Sequence, residues 1–518
     1  MSEFRRRAAC ALAAGCCLLG ASAARAQDAQ GGLTSHNAVE IAVQNNPTLH
    51  VALLQAVQAR YAVDDQAALY DAIFDASASV NHDLSPSLFE ASGTTVSTVD
   101  TVSGMVELTK TYSFGTIVQG QLTTQRRVLT NPIVNMGGGT SAVGPSYALN
   151  GTLSVTQPLL RGAWNSVGLA TLRQARLSRT AAMLTAQQTG SQVLHDVLTA
   201  YWELWYSMEA VRIDTASRDL AKTLQEQAEQ QVKSGTLANV DALTYSTQLA
   251  TQELQLDTAT TTVRQSSLTL SQNLGKAERT GPDLASVETP PDSLSNDIGE
   301  GAVAEALASS PALKQLEMQF KIAQDQASVA GDALRPQLNV NATLSSQGLG
   351  NRRAPPALTQ FSELQAWGAQ VGLTFETPVS DRRHTAQVEE ALLAAHIAEK
   401  QIEVAKQQLR TDVHSALARR DAAKRRLELA LITEKVAHDQ AEGQRGKFLA
   451  GTALAIDVQQ ADNAYQQAQL TTQRARVDVV EGDLDLLHLR GRLLERYADV
   501  LRSFKPTATI LKNASDPF

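Results

Sequence analysis

Cysteine is almost missing from this 518-residue chain, and its placement excludes more than its scarcity does. The three cysteines are Cys10, Cys16 and Cys17. Everything after them lacks a thiol, which rules out a disulfide framework or a cysteine metal site there. Long apolar runs are missing too. Beyond Ala26 no stretch approaches the unbroken apolar length that a membrane-spanning helix needs, so no transmembrane helix is expected. Should the chain enter a membrane, a β-barrel is the only other structure that satisfies every backbone group in lipid. An excess of basic charge is also lacking: 45 Lys and Arg stand against 53 Asp and Glu, a net −8. That balance argues against nucleic acid as a partner. Catalytic signatures are missing as well. There is no G-x-S-x-G, no Walker A motif, no G-x-G-x-x-G opening a βαβ unit, and none of the nine histidines forms H-E-x-x-H. Asp64-Asp65 and Glu389-Glu390 are adjacent carboxylates that would not face each other on a helix. The chain does not read as an enzyme and calls for no cofactor or metal.

The first residues have their own logic. Arg5-Arg6-Arg7 precedes an apolar run from Ala8 to Ala24, and Ala24-Arg25-Ala26 is a small-x-small cleavage site. This is the layout of a secretory signal peptide over 1–26, with Gln27 as the mature N-terminus. A membrane anchor is disfavoured because the run is too short. Lipidation at a cysteine is the weaker reading, since Ala13 and Ala14 stand three positions before Cys16 and Cys17, where leucine is usual. Cleavage removes four basic residues and one acidic residue, moving the net charge from −8 to −11.

Proline is also unevenly spread. None occurs between Pro158 and Pro282, nor between Pro378 and Pro506. Proline breaks helix interiors, so these blocks, rich in Ala, Gln, Leu, Glu, Arg and Lys, can hold very long helices. The blocks are two copies of one text. Asp196-Val197 and Ala200 return as Asp412-Val413 and Ala416; Gly235 and Val240-Asp241 return as Gly451 and Ile456-Asp457; Leu274-Gly275 returns as Arg490-Gly491, every pair at an offset of 216. Upstream, Asn45-Asn46-Pro47 matches Ser309-Ser310-Pro311 at an offset of 264, and Gly151-Thr152-Leu153 to Gln157-Pro158 resembles Val371-Gly372-Leu373 to Thr377-Pro378 at 220. The fall in offset leaves the first copy with about 44 extra residues between Pro47 and Pro158. A fixed-period repeat means one supersecondary unit built twice.

Within each unit, Gly235 and Gly451 mark tight helix–helix turns, with glycine supplying a positive φ at a helix C-terminus. The descending arm of the first hairpin, about 166–233, would span roughly 100 Å. Leu194, Leu198, Tyr201, Trp205 and Met208 step like a coiled-coil seam. Ala391, Ala394, Ala395, Ala398 and Ala405 form an alanine face that lets helices approach closely. Strands are read from period-2 alternation at 117–122, 153–156, 338–344 and 371–377. Segments 131–146 and 347–360 read as loops. In the extra residues, 106–112 and 116–123 read as an added hairpin around Ser113-Phe114-Gly115, extending the strand region or folding beside it.

The order and duplication of Leu153-Ser154-Val155-Thr156-Gln157-Pro158-Leu159, the turn from Gly235 to Asp241 and its partner from Gly451 to Asp457 resemble the TolC-like outer membrane efflux proteins. The resemblance covers essentially all of the chain after Ala26. It implies an α+β membrane protein: a homotrimer whose protomers give about four strands each to an outer-membrane β-barrel, continued by a long periplasmic α-helical barrel of coiled-coil-like hairpins. On that plan 27–72 are N-terminal periplasmic helices, 73–158 the first β-barrel segment, and 159–280 the first long hairpin. Positions 281–334 are a linker with short helices, 335–378 the second β-barrel segment, 379–503 the second long hairpin and 504–518 a tail. The implied partners are a periplasmic adaptor, an inner-membrane transporter and outer-membrane lipid. The implied function is the exit channel of a tripartite efflux or type I secretion system, in the Gram-negative outer membrane and reaching into the periplasm. The resemblance also places a gate at the hairpin tips. There Asp241 matches a family aspartate that pairs with a tyrosine and an arginine, positions held here by Phe448 and Ala453. Phe448 cannot donate a hydrogen bond, which leaves Arg445 and Lys447 as substitutes. Asp457 matches one of two aspartate rings, while Gln460 stands at the other. Three converging Asp457 carboxylates would favour cations; read without the resemblance, Asp457 is a solvated residue at a helix N-terminus. A secreted coiled-coil structural protein or adhesin is the alternative from another class.

Overall fold

In a computed structural model of the chain, the described residues are 32–89, 93–131, 141–276, 286, 288–291, 294, 301–450 and 452–503. The segment read as a signal peptide and the tail from 504 lie outside them, as does most of the linker after Gly281. Among the described residues the elements run α1 (Ser35–Asn45), α2 (Pro47–Ala68), β1 (Ala72–Phe89), β2 (Gly93–Thr111), β3 (Ile117–Asn131), β4 (Ser141–Pro158), α3 (Asn165–Gly168), α4 (Ala170–Lys233) and α5 (Asn239–Asn273). The second half follows with α6 (Ala302–Ser309), α7 (Pro311–Ala333), β5 (Gln337–Asn351), α8 (Pro355–Ser362), β6 (Trp367–Glu376), α9 (Arg382–Leu449), α10 (Ala455–Leu489), α11 (Leu493–Arg496) and α12 (Ala498–Ser503). None of the described helices is long and apolar enough to cross a membrane.

The duplication is written into the caps. α5 and α10 are both 35 residues long, and each bound is shifted by 216. After α5, Gly275 takes φ +72° and the Lys276 N–H reaches back to the Ser271 carbonyl at 2.9 Å. After α10, Gly491 takes φ +69° and Arg492 N–H reaches Leu487 at 3.0 Å, at the same offset. These are Schellman closures, which satisfy orphan carbonyls through one left-handed residue. The short helices match at 264: Asn46 Oδ1 accepts from Leu49 N–H at 3.1 Å, and Ser310 Oγ from Leu313 N–H at 3.4 Å.

The chain divides into two compact units, one made of the described parts of Met1–His50, Gly190–Ala308 and Thr411–Lys512, the other of the described parts of Val51–Thr189 and Ser309–Arg410. In the first unit the apolar side of α1 (Ala38, Val39, Ala42, Val43) is buried, as are Leu194, Val197, Leu198, Tyr201 and Leu204 of α4 and Leu484, Leu486 and Leu493 near the C-terminus. Tyr201 donates its hydroxyl to the Leu33 carbonyl at 2.9 Å. Further along α4 the buried positions recur at every seventh place with small or polar side chains: Ala200, Ser207, Asp214, Ala221 and Ala228. At the 216 offset stand Ala416, Ala423, Ala430 and Ala437, all buried. The expected seam is thus right as far as Tyr201, but Trp205 and Met208 are only half-buried, because the contact stripe moves to the small residues. The alanines at 391–405 are half-buried or exposed; the buried alanine stripe of α9 starts at Ala416.

In the second unit one antiparallel sheet holds six strands in the order β1-β2-β3-β4-β5-β6. That is two more than the resemblance implies, and the excess is the expected hairpin. β2 and β3 meet at a turn closed by Tyr112 N–H to Thr116 carbonyl, 2.8 Å, with Gly115 at φ +89°. The register puts Phe74, Val80, Val106, Leu122, Leu153, Leu344, Val371 and Leu373 on one face. Ser77, Ser103, Gln121, Thr152, Thr343 and Gln370 share the other. Side chains alternate across a strand, so the sheet has a mainly apolar and a mainly polar side, with His82, Asp100 and Arg126 as charged exceptions on the apolar one. Part of the expected 347–360 loop is instead strand and helix. β5 continues to Asn351, and Pro355-Pro356 start α8 at positions where a missing N–H costs nothing. α8 lies on the apolar face, where a Cβ at Gly151 would come within 2.7 Å of the Phe361 ring.

Candidate functional site

The hairpin tips are built by the same turn twice. α4 ends at Lys233, Gly235 takes φ +74°, Gly235 N–H bonds Val232 carbonyl at 3.0 Å and Thr236 N–H bonds Gln231 carbonyl at 2.9 Å. In the second tip Thr452 N–H bonds Lys447 carbonyl at 2.9 Å, the equivalent bond of the second copy. Gly451 itself lies outside the described residues. Asp241 sits on the first turn of α5; its side chain lies outside what is described. Asp457 is the third residue of α10, and its Oδ2 accepts the Leu454 N–H at 3.1 Å. A carboxylate there satisfies an orphan donor and faces the positive end of the helix dipole. So one oxygen of Asp457 caps its own helix.

Phe448 is half-buried in the last turn of α9. Arg445, one turn earlier, binds Asp462 of α10 at 2.7 Å, so it braces its own hairpin. Lys447 contributes its carbonyl to the turn. Burial pushes the Asp462 carboxyl up against the opposing pull of Arg445. Sequence reasoning missed Asp462; the clue is that it faces Arg445 across a turn of known position.

Away from the tip, α4, α5 and α10 enclose a polar seam. Buried Gln466 donates to Asp214 at 2.8 Å, and Gln248 and Gln252 reach Asn463 at 3.2 and 3.3 Å. A cavity of about 640 Å³ runs beside these groups. Burial raises the Asp214 carboxyl, with the Gln466 hydrogen bond opposing it. Asp214 occupies one of the seven-spaced small-residue positions, a signal that composition alone hides.

Next comes a band of ion pairs. Arg420 Nε meets Asp483 at 2.5 Å with both side chains buried, and Asp483 also accepts the Leu294 N–H at 2.7 Å. Arg474 gathers Glu203 at 2.6 Å, Asp478 at 2.8 Å and Glu481 at 3.3 Å. Burial pushes Glu481 up to about 7; Arg474 opposes that and Glu203 reinforces it. His195 Nε2 lies 2.9 Å from Asp485, and His488 Nδ1 lies 2.8 Å from the Ser191 hydroxyl. Burial works against charge on His195, yet its aspartates hold its pKa above the ordinary value; burial and the neighbouring His195 lower that of His488. Among the described residues no group of three or more His, Cys, Asp or Glu is placed to hold a metal ion.

The fold thus combines one six-stranded antiparallel sheet with two 35-residue return helices and descending helices of 64 and 68 residues. Solved structures share it. The outer-membrane channel OprN matches with a TM-score of 0.66 at 17% identity, over 88% of this chain and 90% of that one. VceC from Vibrio cholerae matches with 0.65 at 15%, over 88% and 96%. The Campylobacter jejuni CmeC outer membrane channel matches with 0.65 at 14%, over 91% and 90%. Residues 302–492 match the model of the outer membrane efflux protein family. No curated protein matches the chain. The family match thus covers the second copy of the repeat, and the shared fold extends over most of the chain.

Proposed function

We propose that this chain is the outer-membrane exit channel of a tripartite efflux or type I secretion system, working as a homotrimer with a periplasmic adaptor and an inner-membrane transporter. One observation carries the reading. Apolar residues stand on one side of the sheet in all six strands, and away from α8 they are open, with Val80 81% and Val371 77% exposed. Water does not reward such a face, whereas lipid on one side and an aqueous lumen on the other match both sides at once. The helices support the reading. α9 is 68 residues, about 102 Å at 1.5 Å per residue, and it leaves Leu429, Ile432 and Val436 exposed along one stripe. A hairpin of that length needs neighbours, and further copies of the chain supply them. The tips, with Asp241, Asp457, Phe448, Gly235 and Gly451, form the periplasmic entrance in this reading.

Fractionation tests it. The protein should enter the outer-membrane fraction as a heat-modifiable trimer and give discrete conductance steps in planar bilayers. A monomer in the periplasmic or secreted fraction would instead support a coiled-coil stalk or adhesin.

A further inference from the structure

We infer that three copies of this chain close one eighteen-stranded barrel, with β6 of each copy paired to β1 of the next. This rests on the channel reading above and sharpens it. The first copy of the repeat enters its sheet segment with β1 and leaves with β4; the second enters with β5 and leaves with β6. The extra β2–β3 hairpin stands between β1 and β4 in the sheet order, not at an edge. Fourteen paired residues join β2 to β3, and the register from β1 to β2 is unbroken from Ala72 to Phe89. The hairpin cannot be set aside without breaking both ladders, so it has to widen the wall.

Its side chains fit a wall. Val102, Val106 and Leu122 continue the apolar side, while Ser103, Gln121 and Gln125 continue the polar side. Its turn is seated as well, with Trp164 N–H donating to the Phe114 carbonyl at 3.2 Å. The parity is also right. Six antiparallel strands leave β1 and β6 running oppositely, so an antiparallel seam to the next copy needs no further element. A spanning sheet cannot leave those edges open in lipid. One copy is too narrow to close alone, because a barrel whose interior is just filled by side chains has about eight strands. With strands about 4.8 Å apart and tilted by about 40°, twelve strands give a backbone diameter of about 24 Å and eighteen about 36 Å. The barrel cross-section would be slightly more than doubled, while the tips remain as the resemblance describes.

The test uses cysteine pairs, since positions 27–518 contain none. Ser77→Cys or Ser79→Cys on the polar side of β1 is combined with Gln370→Cys or Thr374→Cys on the polar side of β6. Oxidation of the outer-membrane protein should give, in at least one register, a covalent ladder that ends at trimer. Thr123→Cys with Thr374→Cys reads a seam at β3 and should stay silent. Electron microscopy of the trimer should show eighteen strands and a barrel about 1.5 times as wide as a twelve-stranded one. A ladder ending at dimer, a seam at β3, or twelve strands would overturn the inference while leaving the channel reading intact. Absence from the outer membrane would sink both.

Discussion

The two hairpins share a frame and differ in their filling. The turn hydrogen bonds fall at one offset of 216, and small residues recur every seventh position on both descending helices. Yet α4 packs Leu194, Leu198, Tyr201, Trp202 and Leu204, whereas α9 buries Val413 and a run of alanines. Where the first copy has Leu204 and Ser267, the second has Arg420 and Asp483. Backbone path is therefore set by caps and by close helix approach, and the interior can change chemistry without moving it. Gly482 shows the approach at its tightest: a Cβ there would stand 3.3 Å from the Arg420 backbone.

The largest effect should come from splitting that ion pair. Asp483→Ala removes the carboxylate that the buried Arg420 Nε meets, and losing one partner of such a pair costs about 3–5 kcal/mol. The double change Arg420→Leu with Asp483→Ser copies the first hairpin and should cost less than the single change. Thermal unfolding of the unaltered protein, Asp483→Ala and the double variant decides it. A double variant worse than Asp483→Ala would mean that the two hairpins do not share a frame at that level.

The glycines give the next test. Gly235 and Gly275 share nearly the same φ, but nothing lies within 4 Å of a Cβ at Gly235, while one at Gly275 would stand 2.6 Å from the Asn45 carbonyl carbon. Gly235→Ala should therefore cost only the left-handed conformation, about 1–2 kcal/mol. Gly275→Ala should cost clearly more, because it also displaces the turn between α1 and α2. Equal unfolding midpoints would refute the close approach.

Much of this frame was legible in the sequence because glycine at a helix end and alternation in a strand are local rules. Gly235, Gly275 and the faces of 117–122 or 338–344 obey them without help from distant residues. The added hairpin was legible too, down to its turn at 112–116, since the fall in offset located it. What it does to the sheet was not legible, because strand order is a long-range property. The same holds for the ion pairs. Arg420 and Asp483 lie on different arms of the second hairpin, and Arg420 stands where the repeat would predict leucine. Trp205 and Met208 misled because their heptad spacing is real, while the buried stripe follows the smaller residues at 200, 207 and 214.

A smaller effect is expected from pH, at the groups where α4 meets α10. The folded state raises the Glu481 pKa from its ordinary 4.5 to about 7. The stability this contributes is fully present below about 4.5 and is lost as pH rises through about 7. His195, also raised, acts in the same direction above its ordinary 6.5; His488, lowered, loses its contribution as pH falls below that value. Glu481→Gln should therefore flatten the decline between about pH 4.5 and 7, leaving the histidine contributions nearer neutrality. Parallel pH profiles for the two proteins would show that Glu481 titrates normally.

The smallest effect separates two roles of one carboxylate. Asp457 caps its own helix through Oδ2 and, as a ring of three in the proposed trimer, would also set charge at the entrance. Asp457→Asn keeps an oxygen that can accept the Leu454 N–H but removes the charge; Asp457→Ala removes both. A cap or dipole interaction at an exposed helix end is worth about 0.3–1 kcal/mol, so the alanine variant should lose a little stability and the asparagine variant less. Cation preference in single-channel recordings should fall equally in both, because it depends on charge alone. If preference is unchanged in both while stability drops in the alanine variant, Asp457 is a cap and nothing more, and selectivity must reside elsewhere along the lumen. The matching position Asp241 supplies the internal control: in the first hairpin it holds the same third place of the return helix, so Asp241→Asn against Asp457→Asn shows whether the two tips contribute equally to the entrance.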